Sequence, residues 1–149
     1  MNLYPAIDLK DGNCVRLLRG EMDAATVFNN DPAAQARSFQ DAGCQWLHLV
    51  DLNGAIEGRP VNGDAVSAIL TALDIPVQLG GGIRDEDTAQ TWLEAGVRRV
   101  IIGTLAMRQP DLVADLCRRH PGRVVIGIDG RDGKVAVEGW GEQSEMPVL

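Results

Sequence analysis

The chain has 149 residues, 45% hydrophobic and 23% charged, enough to bury one sizeable core. Its formal net charge of −7 argues against non-specific binding to nucleic acid or to an anionic membrane, and there is no basic-then-apolar leader and no apolar run of the roughly 18 residues a membrane span needs. Cys14, Cys44 and Cys117 are too far apart for a CxxC-type metal cluster and suit a reducing compartment, so no metal site and a cytoplasmic location are expected.

The first apolar run, residues 3–8, predicts a strand leading into Asp8-Leu9-Lys10-Asp11-Gly12. Alternating Val15-Arg16-Leu17 predicts a small ribbon, and a long polar connection continues to Asn30. Asp31 caps a helix that has Pro32 at its first position and stops at Gly43. Residues 45–51 predict the second strand. A helix from near Asn62 places Val66, Ile69, Leu70 and Leu73 on one face. Residues 76–79 predict the third strand, followed by a helix capped by Asp85, with Glu86 and Asp87 favourable in its first turn, and ended by Gly96. Residues 99–103 predict the fourth strand. The next helix starts near Pro110 and stops before Pro121, and residues 124–129 predict the fifth strand. That strand runs into Asp129-Gly130-Arg131-Asp132-Gly133 and a second alternating stretch, Val135-Ala136-Val137.

Five strands alternating with four helices imply an α/β protein with a parallel sheet, both faces of which are expected to be buried. A doubly wound sheet and a (β/α)8 TIM barrel both satisfy that alternation. The D-x-x-D-G repeat favours the barrel: its copies stand at 8 and 129, 121 residues apart, and two such units make roughly the 250 residues typical of that fold. Residues 1–149 are then expected to form one partial barrel domain, a truncated piece of a longer enzyme.

In a parallel barrel, chemistry sits at the C-terminal ends of the strands. Asp8 and Asp129 both stand there, so the two motif copies aim two carboxylates into one mouth. Such a pair suits general acid and general base work when the two environments differ. The structural alternative is that each Asp caps its own turn. Gly80-Gly81-Gly82-Ile83-Arg84 after the third strand, and Gly103-Thr104 after the fourth, offer backbone N–H groups that can approach a phosphate, although glycines also serve simply to turn the chain. Arg84 would pair with an anion or lie in a solvated ion pair. Asp51 reads as a turn former, His48 as a satisfied packing residue, and Arg16 and Arg19 as a solvated basic edge. Trp140, in Val137-Glu138-Gly139-Trp140, either covers the ribbon or stacks on a flat ring.

Pro5-Ala6-Ile7-Asp8-Leu9-Lys10-Asp11-Gly12, His48-Leu49-Val50-Asp51-Leu52-Asn53-Gly54-Ala55, Gln78-Leu79-Gly80-Gly81-Gly82-Ile83-Arg84, Gly127-Ile128-Asp129 and Gly139-Trp140 together resemble the phosphoribosylformimino-5-aminoimidazole carboxamide ribotide isomerases of the histidine pathway. The resemblance implies an Amadori rearrangement of a small bisphosphorylated substrate, with neither metal nor other cofactor. Asp129 would be the general acid and Asp8 the general base. Gly81, Gly82, Arg84, Gly103 and Thr104 would line a phosphate site, and Trp140 would lie near the imidazole. The complete protein is expected to be a monomer. The strand-six residue and the loops of strands seven and eight that the family uses are not in this sequence, so the fragment alone is expected to be inactive. Asn53 also stands where Asp is common in the family.

Two other readings remain. The sibling cyclase subunit of imidazole glycerol phosphate synthase shares the half-barrel repeat, but it opens with Cys-Leu-Asp where this chain has Ala6-Ile7-Asp8. A non-catalytic phosphate-binding half-barrel would expose apolar edges and self-associate.

Overall fold

The apolar runs fold, in the computed structural model, into one sheet whose strands follow one another in space. The model describes residues 2–137 and 142–148. The parallel strands are β1 (Ala6–Lys10), β4 (Leu47–Asp51), β5 (Val77–Gly80), β6 (Arg99–Ile102) and β7 (Val124–Ile126), separated by α1 (Pro32–Asp41), α2 (Leu52–Glu57), α3 (Gly63–Ala72), α4 (Glu86–Glu94), α5 (Thr104–Arg108) and α6 (Pro110–Arg119). The sheet order is β3-β2-β1-β4-β5-β6-β7, with β2 (Asn13–Leu18) and β3 (Glu21–Asn29) added antiparallel on the outer side of β1. From β1 onward the strands never reverse their order. A doubly wound sheet must reverse, so this progression is that of a (β/α)8 barrel, of which the chain holds part.

The helices begin where the sequence predicts. Asp31 accepts a hydrogen bond from the Ala34 N–H with Pro32 at the first helical position, and Asp85 accepts one from the Thr88 N–H. The apolar faces of the helices close over alternate strand residues. Ile7, Leu9, Leu47, Leu49, Val77, Leu79, Val100 and Ile102 form the core with Ala36, Val66, Ile69, Ala89, Val113 and Leu116.

The opposite face of the sheet departs from the expectation of two buried apolar faces. Ala6, His48, Gln78 and Arg99 lie side by side in register across β1, β4, β5 and β6, and Asp8, Val50, Gly80 and Ile101 form the next row. This is the lumen side of a barrel, where side chains from neighbouring strands form layers, and here it carries polar groups.

Three other differences have local causes. The polar connection before Asn30 contains β3, whose polar residues face solvent from an added edge ribbon. Helices α2 and α5, of 6 and 5 residues, are too short to show a 3.6-residue repeat. The fifth parallel strand ends at Ile126 rather than at Asp129. Gly127 N–H still donates to the Ile102 carbonyl at 2.9 Å, and Asp129 then opens a separate antiparallel sheet of β8 (Asp129–Arg131), β9 (Lys134–Val137) and β10 (Glu142–Pro147).

Candidate active site

The two D-x-x-D-G copies form the same turn. Asp11 and Gly12 have φ of 51° and 77°, and Asp132 and Gly133 have 49° and 78°. Positive φ at both central residues is the signature of a two-residue type I′ hairpin, which Asp-Gly favours. The ladders match as well: Asp8 pairs with Val15, and Asp129 with Ala136.

Asp8 and Asp129 line one cavity of about 560 Å³ above the strand ends. Around them stand His48, the turn from Gly80 to Arg84, Gly103, Thr104 and Gly127. Asp8 is half-buried, and Asp129 is exposed. Burial pushes the Asp8 carboxyl above its ordinary range, and the nearby His48 and Arg16 only partly offset this. A carboxylate so placed is a stronger base than one in water.

The residues of the turns after β5 and β6 converge on the same cavity. Gly81 and Gly82 have φ of 100° and 73°, and a Cβ on them would run into the backbone carbonyls of Asp51 and Arg59 respectively. The steric need for glycine is thus real, and it coexists with an open backbone at the cavity wall. Gly103 caps α5 with φ of −109°, a value open to any residue, and Thr104 is the first residue of that helix.

Arg84 stands at the end of the glycine turn. It lines the cavity, but its Nη2 donates to the Ala55 carbonyl at 2.9 Å and its guanidinium packs over Gly58 at the end of α2. Trp140 lies outside the described residues.

Asp51 forms the turn expected of it and does more. Only 2% exposed, it accepts from the Gly54, Val61 and Asn62 N–H groups at 2.8, 2.7 and 3.0 Å and from Asn62 Nδ2 at 2.6 Å. Asn62 and Asn53 in turn hold the first hairpin: Gly12 N–H donates to Asn62 Oδ1 and Asp11 N–H to Asn53 Oδ1. Asn53 Nδ2 also donates to the Asp11 carboxylate at 2.8 Å, an interaction that Asp at position 53 could not make. Arg16 keeps to the exposed edge, over the Phe28 ring at 5.6 Å.

His48 corrects the sequence reading in one respect. Its ring is satisfied, with Nδ1 2.9 Å from Gln78 Nε2, but it lines the cavity rather than the apolar core. The missed signal was parity. His48 stands two residues before Val50 and Gln78 two before Gly80, so both share the face of Asp8.

A parallel sheet whose strands follow one another in space, with Asp8 and the glycine turns at their C-terminal ends, defines a protein of the (β/α)-barrel class. Residues 2–149 match the family model described as histidine biosynthesis protein, and the chain belongs to that family. It is 68% identical over 149 residues to a protein of Rhodospirillum centenum, 63% to one of Paracoccus denitrificans and 64% to one of Rhodospirillum rubrum. Each relative is named a 1-(5-phosphoribosyl)-5-((5-phosphoribosylamino)methylideneamino) imidazole-4-carboxamide isomerase. All of this chain is covered, but only 60%, 63% and 62% of those relatives, so the chain spans about three-fifths of their length.

Proposed function

We propose that the chain supplies the first part of an aldose–ketose isomerase that performs an Amadori rearrangement on a bisphosphorylated aminoimidazole carboxamide nucleotide. The observation that carries this reading is the presence of Asp8 and Asp129 on the wall of one cavity. Asp129 protonates the ribose ring oxygen, the C1–O bond breaks, and the nitrogen lone pair forms the C1=N bond. Asp8 then removes the C2 proton. Its C–H electrons make the C1=C2 bond as the C1=N pair returns to nitrogen, which gives an enolamine. Protonation at C1 by the acid form of Asp8 and loss of the C2 hydroxyl proton to the Asp129 carboxylate then give the aminoketose. C1 is reduced as C2 is oxidised within one molecule, and each Asp ends in its starting state. Gly81, Gly82, Gly103 and Thr104, with Arg84 beside them, bind one phosphate through N–H and hydroxyl donors. Trp140 is assigned to the imidazole on the family resemblance alone.

The named activity of the relatives supports this reading over the ammonia-dependent cyclase. A barrel site draws on all eight strand-to-helix loops, so the 149-residue chain alone is expected to turn over little. Ile126 at the end of the edge strand β7 and Ile128 just beyond it, 41% and 60% exposed, favour the chain's self-association.

The test is a chain completed to eight strands with the C-terminal part of the Rhodospirillum centenum relative. Isomerisation without ammonia or a glutaminase is the expected result. A requirement for ammonia points to the cyclase, and a completed, folded barrel without turnover overturns the proposal.

A further inference from the structure

Strand β4 alternates between residues under the helices, Leu47 and Leu49, and residues on the lumen side, His48 and Val50. His48 is half-buried there, lines the cavity, and acts electrostatically on Asp8 of the neighbouring strand. Its register partner on β5 is Gln78, whose Nε2 lies 2.9 Å from His48 Nδ1. An amide nitrogen carries only donors. With that nitrogen turned toward the ring, Nδ1 is the accepting atom, and a neutral ring then holds its proton on Nε2. Burial lowers the pKa of the ring, against an opposing pull from Asp8, and so favours the neutral form.

We infer that Gln78 is a positioning residue whose amide locks His48 as the Nε2–H tautomer, so that the ring offers the cavity a hydrogen-bond donor beside Asp8. The reversed tautomer would turn a lone pair toward the space where Asp8 works, and an imidazolium would weaken Asp8 as a base. The inference rests on the isomerase reading and deepens it: the donor serves an oxygen of the sugar whose C2 proton Asp8 removes. Among charged groups, Asp8 faces the ring from β1, and Arg99, in register with Gln78 on β6, is turned over the Trp46 ring at 4.4 Å.

The chain contains 2 histidines, so ring-nitrogen NMR spectra of the 15N-labelled 149-residue protein hold two spin systems, which His120→Gln assigns. At neutral pH, His48 should show a bare Nδ1 and a protonated Nε2. Gln78→Glu replaces the donor by an acceptor, so Nδ1 should gain a proton and the ring's pKa should rise. Gln78→Leu, with no polar group, should populate both tautomers. A protonated Nδ1 in the parent protein, or an unchanged tautomer in these variants, overturns the inference. If Gln78→Glu does not fold, the parent and Gln78→Leu spectra decide. This readout is independent of turnover: a reversed tautomer leaves the isomerase reading standing, and an inactive completed barrel leaves the tautomer standing.

Discussion

Asp8 and Asp129 hold the same position in two copies of one hairpin. Asp8 lies opposite Val15 and Asp129 opposite Ala136, each seven residues ahead, and each hairpin closes on an Asp-Gly turn. Each carboxylate is therefore carried by an equivalent hairpin, which makes the turn glycines informative. Gly12 and Gly133 have positive φ but nothing within 4 Å of an added Cβ. Alanine there should cost only the backbone strain of about 1–2 kcal/mol. Alanine at Gly81 would also collide with the Asp51 carbonyl and should destabilise the fold well beyond that. Chemical denaturation of the three variants reads the difference.

Asp8 should cost the folded state stability at neutral pH. Its carboxyl titrates above the ordinary 3.8, chiefly through burial, so the folded chain holds that proton more tightly than the unfolded chain does. The stability it contributes falls as pH rises from 3.8 through the folded value and stays low above it. Asp8→Asn should therefore raise Tm at neutral pH, and the gain should disappear near and below pH 3.8. Calorimetry across that window checks both the sign and the window.

Asp51 should be the most sensitive carboxylate to truncation. Asp51→Ala leaves the Gly54, Val61 and Asn62 N–H groups without their acceptor. Buried donors left so cost about 1–3 kcal/mol each, so a loss of about 3 kcal/mol or more is expected in urea unfolding. The first hairpin should also loosen, since Asn62 holds the Gly12 N–H.

The parts of this molecule that the sequence discloses are those with local physical causes. Asp31-Pro32 and Asp85 mark helix starts because one side chain satisfies one orphan N–H, and the repeated Asp-Gly marks a turn because few other pairs accept positive φ twice. The lumen face was less legible. His48 and Gln78 sit inside apolar runs, and only the pairing register shows that they share a side with Asp8. Asn62 was legible as a helix start but not as the link to Gly12, 50 residues away, because such contacts depend on how α2 and α3 return over β1. The apolar run puts Asp129 at a strand end, whereas it lies three residues beyond β7. Chain alternation cannot distinguish those two positions.

The glycine turns predict where an anion binds. Inorganic phosphate should shift the backbone amide resonances of Gly82, Gly103 and Thr104, which line the cavity with Asp8. Removing the hydroxyl with Thr104→Val should weaken that binding by about fivefold, the worth of one hydrogen bond near 1 kcal/mol. Shifts confined to the basic edge around Arg16 would place the anion elsewhere.

The sharpest measurement is single-turnover isomerisation by the completed barrel carrying Asp8→Asn or Asp129→Asn, with substrate affinity measured in parallel. Two opposed proton-transfer groups predict that each substitution removes most of the rate, by a factor of about 10² or more, while affinity changes little. Rates near those of the parent protein in either variant, or a loss explained wholly by weaker binding, would contradict the assignment of this cavity as an acid–base site.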